Sequence, residues 1–203
     1  MPGRLFLTRD VAELAAIAGV AAPEPEEPRR NIQPGQQVLT LTTHGFTRMR
    51  WGMIPTGRTN ARGRPVMETI INARSETVFD KTAYENMHRA VVPADGWYEW
   101  TGAKGRKTAW DIRSDDGDAL WFAAIYDIWS GPGGIKVPQV ATLTCQPSGD
   151  VRDIHDRMGV LLSPAEIQLW LTGDQDAARG LFRSWPDGRL RVTAAKDVDW
   201  SGP

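Results

Sequence analysis

The sequence predicts an α+β fold in which a curled antiparallel or mixed β-sheet, or a barrel-like core, carries helices at its periphery. Short β-prone runs dominate the middle of the chain, and the turns between them contain the Gly and Asp that hairpins require. The helical patterns are few and short. No repeat and no linker interrupts the 203 residues, so we expect a single domain over residues 1–203.

The first elements are defined by caps and turns. Asp10 followed by Glu13 resembles a capping box, and Gly19 is typical of a helix end. Four prolines make the next segment a surface loop. The predicted elements are a strand at 4–7, a helix at 10–18, a loop at 20–34 and a hairpin of 37–43 with 46–51.

The remaining elements are mostly strands. Ser163, Pro164 and Glu166 suit the start of a helix, and Gly173 suits its end. The predicted elements are a mobile loop at 56–65, strands at 70–73, 90–92, 97–101, 108–113, 120–129, 137–145 and 190–193, and helices at 81–87, 163–171 and 176–185.

Composition excludes several classes of protein. Hydrophobic residues make up 41% and charged residues 24%, which is normal for a globular protein with a core. No apolar run approaches the roughly 20 residues that span a bilayer, and no secretory signal is visible, so we expect a cytoplasmic monomer without a membrane partner. The single cysteine, Cys145, has no zinc-ligand spacing around it and is expected in a buried strand. No metal and no cofactor are expected.

The charge is uneven although the net charge is only −1. Between positions 48 and 74 there are six arginines and only one acidic residue, Glu68. The arginines are Arg48, Arg50, Arg58, Arg62, Arg64 and Arg74. They either form a patch that holds phosphates or are scattered over different faces.

Glu99 is the first candidate for chemistry. It lies in AVVPADGWYEW among three aromatic residues, where poor hydration raises the pKa of a carboxyl group toward the range of a general acid or base. Strand alternation puts Glu99 and Trp97 on one face and Trp100 on the other. An ordinary glutamate at a sheet edge is the alternative.

His155 and Asn72 are the other polar candidates. His155 lies between two acidic residues in DIHDR. A histidine there either shuttles protons or stabilises an oxyanion, or it has only a structural role. Asn72 and Arg74 alternate on a strand end and suit a sugar or phosphate, although Arg74 also has Glu76 as a possible partner. Arg157 adds a cation. Trp51, Trp97 and Trp100 either stack bases or fill the core.

The motifs, taken together, resemble one family. MPGRLF, NIQPG, RWGMIP, INARSET, VVPADGWYEW, AAIYD and IHDRMGVLLSP stand in the order found in the SOS-response-associated peptidase (SRAP) family of abasic-site processing proteins. The resemblance runs from Gly3 to about Leu171.

The resemblance implies a protein of the DNA damage (SOS) response that binds single-stranded DNA at an abasic site and forms a DNA–protein crosslink with the ring-opened sugar aldehyde. In that family an N-terminal cysteine closes a thiazolidine ring. The residues that match the family's catalytic positions are Pro2, at the position of the nucleophile, and Asn72, Glu99 and His155. The implied DNA-binding residues are Arg4, Asn31, Pro34, Trp51, Arg74, Trp100 and Arg157.

Pro2 departs from the family pattern because proline has no thiol and cannot form a thiazolidine. If Met1 is removed, the secondary amine of Pro2 can form an iminium with an aldehyde and act as a lyase. If Met1 stays, the nitrogen is an amide and only binding remains. The third alternative is that position 2 has been altered from a parental cysteine.

Two further readings stay open. The chain is a non-catalytic single-stranded nucleic-acid binding module with the same cleft, or a small peptidase-like hydrolase. A second departure, Thr56 and Gly57 where the family continues with a tryptophan, predicts weaker base stacking by about 1 to 3 kcal/mol.

Overall fold

The computed structural model describes residues 2–54, 61–63, 69–85 and 87–202. Thirteen strands and three helices lie in these ranges, with short 3₁₀ turns between some of them. In chain order they are β1 (Leu5–Leu7), α1 (Val11–Ala18), β2 (Arg29–Ile32), β3 (Gln37–Thr42), β4 (Gly45–Trp51), β5 (Asn72–Arg74), β6 (His88–Ala94), β7 (Gly96–Thr101), β8 (Thr108–Ser114), β9 (Leu120–Ser130), β10 (Lys136–Cys145), β11 (Met158–Gly159), β12 (Leu161–Leu162), α2 (Ile167–Thr172), α3 (Gln175–Arg179) and β13 (Leu190–Ala194).

A closed ring of five strands forms the centre of the fold. Its order is β10-β4-β3-β6-β9, and β9 pairs back to β10. The β10–β4 pairing is parallel and the other four are antiparallel. The predicted α+β class with a mixed, barrel-like core is therefore confirmed.

A second sheet of five strands has the order β13-β8-β7-β1-β2. Strand β1 lies between β7 and β2, and its Leu5 is opposite Trp97 on one side and Ile32 on the other. The Asp95 carboxylate at the β6–β7 turn accepts hydrogen bonds from the Thr8 backbone N–H at 2.6 Å and from the Arg9 Nε at 2.5 Å. These contacts fix the beginning of the chain against β7.

The core is one contiguous cluster that includes apolar side chains of both sheets. Trp51, Trp97, Trp121 and Trp170 are all buried to 1% exposure or less. The Trp51 Nε1 donates to the Ile71 carbonyl at 3.0 Å, and the Trp170 Nε1 donates to the Ala90 carbonyl at 2.7 Å. Such a core supports the expected single domain, which stays a prediction.

Most of the predicted elements are present within a residue or two. Asp10 caps α1 through the Ala12 N–H, and Gly19 ends it in the left-handed conformation. The capping box of Ser163 and Glu166 is formed, over a 3₁₀ turn that leads into α2. Cys145 is buried in β10, as predicted.

Three local predictions are wrong. The proline-rich loop contains strand β2, because the free edge of β1 offers backbone partners there. The helix predicted at 81–87 is only a 3₁₀ turn, Thr82–Tyr84. The helix predicted at 176–185 ends at Arg179, and Phe182 and Trp185 beyond it pack on the core.

Of the predicted mobile loop at 56–65, only residues 61–63 lie within the described residues. Among the described residues, no helix is both long and apolar enough to cross a membrane.

Gly96 marks the closest contact between β1, β7 and β8. A Cβ at this position would lie 2.3 Å from the Ile112 carbonyl oxygen and 2.4 Å from the Phe6 ring. We expect Gly96→Ala to lower the free energy of unfolding by about 1–3 kcal/mol, because backbone must move to admit the methyl group. Chemical denaturation measures this. The control is Gly180→Ala at the end of α3, where the nearest atom is 3.2 Å away and the change should stay below about 1 kcal/mol. Equal losses in both variants would contradict the prediction.

Candidate active site

Pro2 lies buried at the start of the chain and is held by Asn72. The Asn72 Nδ2 donates to the Pro2 carbonyl at 2.8 Å. The Asn72 Oδ1 accepts a hydrogen bond from the Thr142 hydroxyl at 2.5 Å, across the parallel pairing of β5 with β10. Asn72 is thus oriented by the barrel and in turn orients Pro2.

Gly159 in β11 lies on the other side of the Pro2 ring. A Cβ at Gly159 would be 3.7 Å from the Pro2 Cγ and 2.4 Å from the Phe122 ring. Only glycine therefore lets β11 pack this closely. Pro2 therefore lies beside β11, which directly follows the segment that carries His155 and Arg157.

Glu99 lies on the buried face of β7 with only 4% of its surface exposed. Trp97, two residues earlier, is also buried and packs edge-on against Phe122 at 5.7 Å, as strand alternation predicts. Burial raises the pKa of the Glu99 carboxyl group to about 7. Near neutral pH this group is therefore present both as an acid and as a base.

His155 lies in the segment between β10 and β11. Its Nδ1 accepts the Arg157 backbone N–H at 3.0 Å. Burial lowers the pKa of the imidazole, so the neutral form predominates at neutral pH, with its proton on Nε2. The Asp156 carboxylate is 2.8 Å from the same Nδ1 but is 88% exposed, and it pairs with His155 only when the ring is charged.

Asp156 connects the two groups electrostatically. Its negative charge raises the pKa of Glu99, in addition to the larger effect of burial. It also opposes the lowering of the His155 pKa that burial causes. Asp156 therefore acts on both Glu99 and His155. The groups available for chemistry are Pro2 with its Asn72 partner, a carboxyl group near its pKa and a neutral imidazole.

Arg157 is bound on several sides and is 8% exposed. Its Nη1 and Nη2 donate to the two carboxylate oxygens of Glu76 at 2.5 and 2.8 Å, and Nη2 also donates to the Thr144 carbonyl at 2.5 Å. The hydrogen-bonded pair lowers the pKa of Glu76 and raises that of Arg157. Arg157 thus braces the His155 segment against β10, and an incoming phosphate would have to compete with Glu76.

Arg74 has the opposite environment. The sequence left open a pairing of Arg74 with Glu76, but Glu76 pairs with Arg157 and Arg74 is exposed at the end of β5. Ala73 between Asn72 and Arg74 is buried, as the strand pattern predicts.

The other predicted DNA-binding residues fall into two groups. Arg4 directly precedes β1, Asn31 lies on β2 and Trp100 on β7, and the Arg4 Nε donates to the Asn31 Oδ1 at 3.0 Å. Pro34 is half-buried in the turn before β3. Trp51 is fully buried with its Nε1 bonded, so its ring packs in the core and offers no face to a base.

At least two of the six arginines between positions 48 and 74 have partners within the protein. Arg48 pairs with Glu26 at 2.7 Å, and Arg50 donates to the Gly52 carbonyl. Arg58 and Arg64 lie outside the described residues, as do Thr56 and Gly57. Arg62 and Arg74 lie within the described residues, and both are exposed.

Sequence reasoning missed Thr142, Gly159 and the role of Glu76. The alternation in VATLTC placed Thr142 on a strand face, but not opposite Asn72. Gly159 lies in the motif IHDRMGVLLSP, but the sequence gives no reason why this position must be glycine. These contacts join segments at least 37 positions apart in the chain and are set by the strand register.

Comparison with known proteins identifies the family of this chain. The sequence profile described as SOS response associated peptidase (SRAP) matches residues 1–198. The chain belongs to the SRAP family. Among its relatives, abasic site processing protein YoqW of Bacillus subtilis (strain 168) is 32% identical over 158 residues, covering 73% of this chain and 69% of YoqW. Abasic site processing protein HMCES of Gallus gallus is 31% identical over 147 residues, or 61% of this chain and 44% of HMCES.

Solved structures show the same fold. The crystal structure of a Bordetella bronchiseptica protein superposes with a TM-score of 0.80 at 25% identity, covering 96% of this SRAP chain and 99% of the other. A phage-related protein from the same organism has a TM-score of 0.72 at 27% identity, with 96% and 94% covered.

Glu99→Gln should stabilise the protein at high pH. In the folded state Glu99 keeps its proton up to about pH 7, whereas its ordinary pKa is 4.5. Unfolding therefore releases a proton between these values, and the stability of the wild type falls across that window. Glutamine mimics the protonated form, so the variant should gain up to about 3 kcal/mol over the wild type above pH 7 and little near pH 4. Denaturation curves across this range measure the difference.

Glu76→Gln is the control with the opposite sign. Because Arg157 lowers the pKa of Glu76, this variant should be less stable than the wild type at neutral pH, and the deficit should shrink in acid. A stability difference for Glu99→Gln that is the same at both ends of the pH range would contradict the assigned burial of the charge.

Proposed function

We propose that this SRAP chain binds single-stranded DNA at abasic sites and acts on the ring-opened sugar aldehyde through the nitrogen of Pro2. The observation that carries the proposal is the buried Pro2, held by Asn72 and by the Gly159 backbone, in a site whose carboxyl group has a pKa of about 7. The names of YoqW and HMCES as abasic site processing proteins support the same substrate.

The chemistry requires removal of Met1, which frees a secondary amine at Pro2. That amine attacks the aldehyde carbon, and the carbinolamine loses water to give an iminium. Glu99 is suited to both proton transfers: its carboxylate takes the proton from the attacking nitrogen, and its acid form gives a proton to the departing hydroxyl. The carbinolamine oxygen takes one further proton from solvent, so that amine, aldehyde and one proton become iminium and water, without an oxidant or a reductant.

The thiol that would trap this intermediate is missing. Pro2 carries none, and Cys145 is 3% exposed in β10 with a pKa that burial raises to about 12. The iminium is therefore free to hydrolyse or to eliminate the strand, so the crosslink is transient. Because this thiol is buried and protonated, Cys145 is unsuited to be the nucleophile of a cysteine peptidase.

The neighbouring groups have distinct parts in the proposal. The His155 Nε2–H donates to the sugar oxygen as the ring opens, and Asn72 keeps the Pro2 nitrogen in place. Arg74 and Arg4 contact phosphates, and Trp100 offers an aromatic face to a base. Arg157 acts as the brace of the His155 segment.

A second candidate is a binding module that shields the lesion without reacting. It is favoured by the absence of a thiol at position 2, and it applies wherever Met1 is retained, because the Pro2 nitrogen is then an amide. Intact-protein mass spectrometry distinguishes the two states of the N-terminus.

Borohydride trapping tests the amine chemistry. Protein shown by mass spectrometry to lack Met1 should give a covalent adduct with single-stranded DNA containing an abasic site only when borohydride is present, because reduction fixes the iminium. Glu99→Gln should slow adduct formation by at least about 100-fold while DNA binding is retained. DNA with a tetrahydrofuran site, which has no aldehyde, is the control. Absence of any adduct from Met1-free protein that binds the DNA would leave only the shielding module.

Pro2→Cys tests whether the site is otherwise intact. With Met1 removed, the new thiol should attack the iminium carbon and close a ring, so that a stable adduct forms without borohydride. Gel electrophoresis under denaturing conditions measures the yield. The matched control is Pro2→Ala, which restores a primary amine without a thiol and should remain dependent on borohydride. A Pro2→Cys protein that still needs borohydride would contradict the assigned position of residue 2.

A further inference from the structure

The segment that follows β13 crosses the outer face of the second sheet. Strands β13 and β2 are the opposite edges of that sheet, yet residues 199–202 contact Asn31 on β2. The Ala195 N–H still pairs with the Ala109 carbonyl, so the crossing begins after it. We call residues 197–202 the strap.

Trp200 anchors the strap on the aromatic residues of β7. Its ring centre lies 5.0 Å from that of Tyr98 and 5.4 Å from that of Trp100, in both cases at a steep angle. Tyr98 is 1% exposed, whereas Trp200 itself is 38% exposed. The strap therefore covers an aromatic surface without being part of the core.

Asn31 anchors the other end of the strap. Its Nδ2 donates to the Asp199 carbonyl at 3.2 Å and to the Gly202 carbonyl at 2.8 Å, and its Oδ1 accepts from Arg4. An asparagine amide has two N–H donors, and both are used. Asn31 is 0% exposed as a result. A ligand reaches its amide only after the strap has left.

The covered residues are the ones expected to contact DNA. Arg4, Asn31 and Trp100 belong to the binding surface in the proposed function, on which this inference depends. The strap also has the chemical character of a single strand, because it joins a flat aromatic ring to the carboxylates of Asp197 and Asp199. A base can occupy the same aromatic surface by stacking on it, and phosphates are negatively charged as carboxylates are.

We propose that the strap is an autoinhibitory cover that competes with single-stranded DNA for the surface of Arg4, Asn31 and Trp100. DNA binds fully when Trp200 leaves Trp100 and the two carbonyls leave Asn31. The closed state lowers the apparent DNA affinity by the fraction of molecules that are open. Few contacts hold the strap, and ordering its six residues opposes them, so opening is within reach of a DNA strand.

The test compares DNA affinities of three variants with the wild type. Trp200→Ala removes the anchor without changing charge, and truncation after Ala195 removes the strap. The control is Trp129→Ala, which deletes a half-buried tryptophan at the far end of β9. Fluorescence anisotropy with single-stranded DNA containing a tetrahydrofuran site measures binding without covalent chemistry. We expect about tenfold tighter binding for the first two variants and none of this gain for the control.

A second measurement uses the unaltered protein. Lys196 is exposed, but trypsin must also draw the residues after it, which belong to the strap, into its active site, so single-stranded DNA that releases the strap should accelerate cleavage there. Tighter binding of the two strap variants together with DNA-dependent cleavage supports the proposal.

Each other outcome has a separate meaning. Equal affinities of all variants overturn the cover and leave the proposed DNA binding intact. Weaker binding by Trp200→Ala also overturns it, because Trp200 would then be part of the DNA-binding surface. Absence of binding by every variant at low salt overturns both the cover and the proposed function.

Discussion

The pairing of β1 with β7 is the constraint on which the site depends. Leu5 lies opposite Trp97, and the Asp95 carboxylate ties down Thr8 and Arg9 just beyond β1. An N-terminus ordinarily frays because nothing opposes its conformational entropy. Here a strand in the middle of a sheet holds it, so Pro2 can serve as a positioned group beside the Glu99 strand.

The site places an ionisable group where its charge is costly. Burial raises the pKa of Glu99 to about 7, and the ionised form of this group therefore destabilises the folded state. In the proposed function, the same pKa allows proton transfer in both directions at neutral pH. Pro2 would supply the nitrogen for that chemistry but has no thiol to make the product permanent. Under this proposal the site suits a reversible reaction with an aldehyde better than a lasting crosslink.

The outer face of the second sheet is covered in part by the strap. Two strap carbonyls accept hydrogen bonds from the Asn31 amide, and the Trp200 ring of the strap contacts Trp100. Arg157, by contrast, is held by Glu76 and Thr144 and stiffens the His155 segment. Arginines that look equivalent in the sequence thus have different parts: Arg157 braces, Arg48 pairs with Glu26, and Arg74 is exposed.

The sequence by itself determined the fold class, most strands and the family, because hydrophobic alternation, turn residues and ordered motifs are local properties. Its motifs also indicate Pro2, Asn72, Glu99 and His155 as candidate site residues. Only the tertiary structure decided that Glu76 pairs with Arg157, that Trp51 faces the core and that Trp200 returns to Trp100. Those outcomes depend on strand register and sheet order, which bring together side chains distant in the chain and which no local pattern encodes.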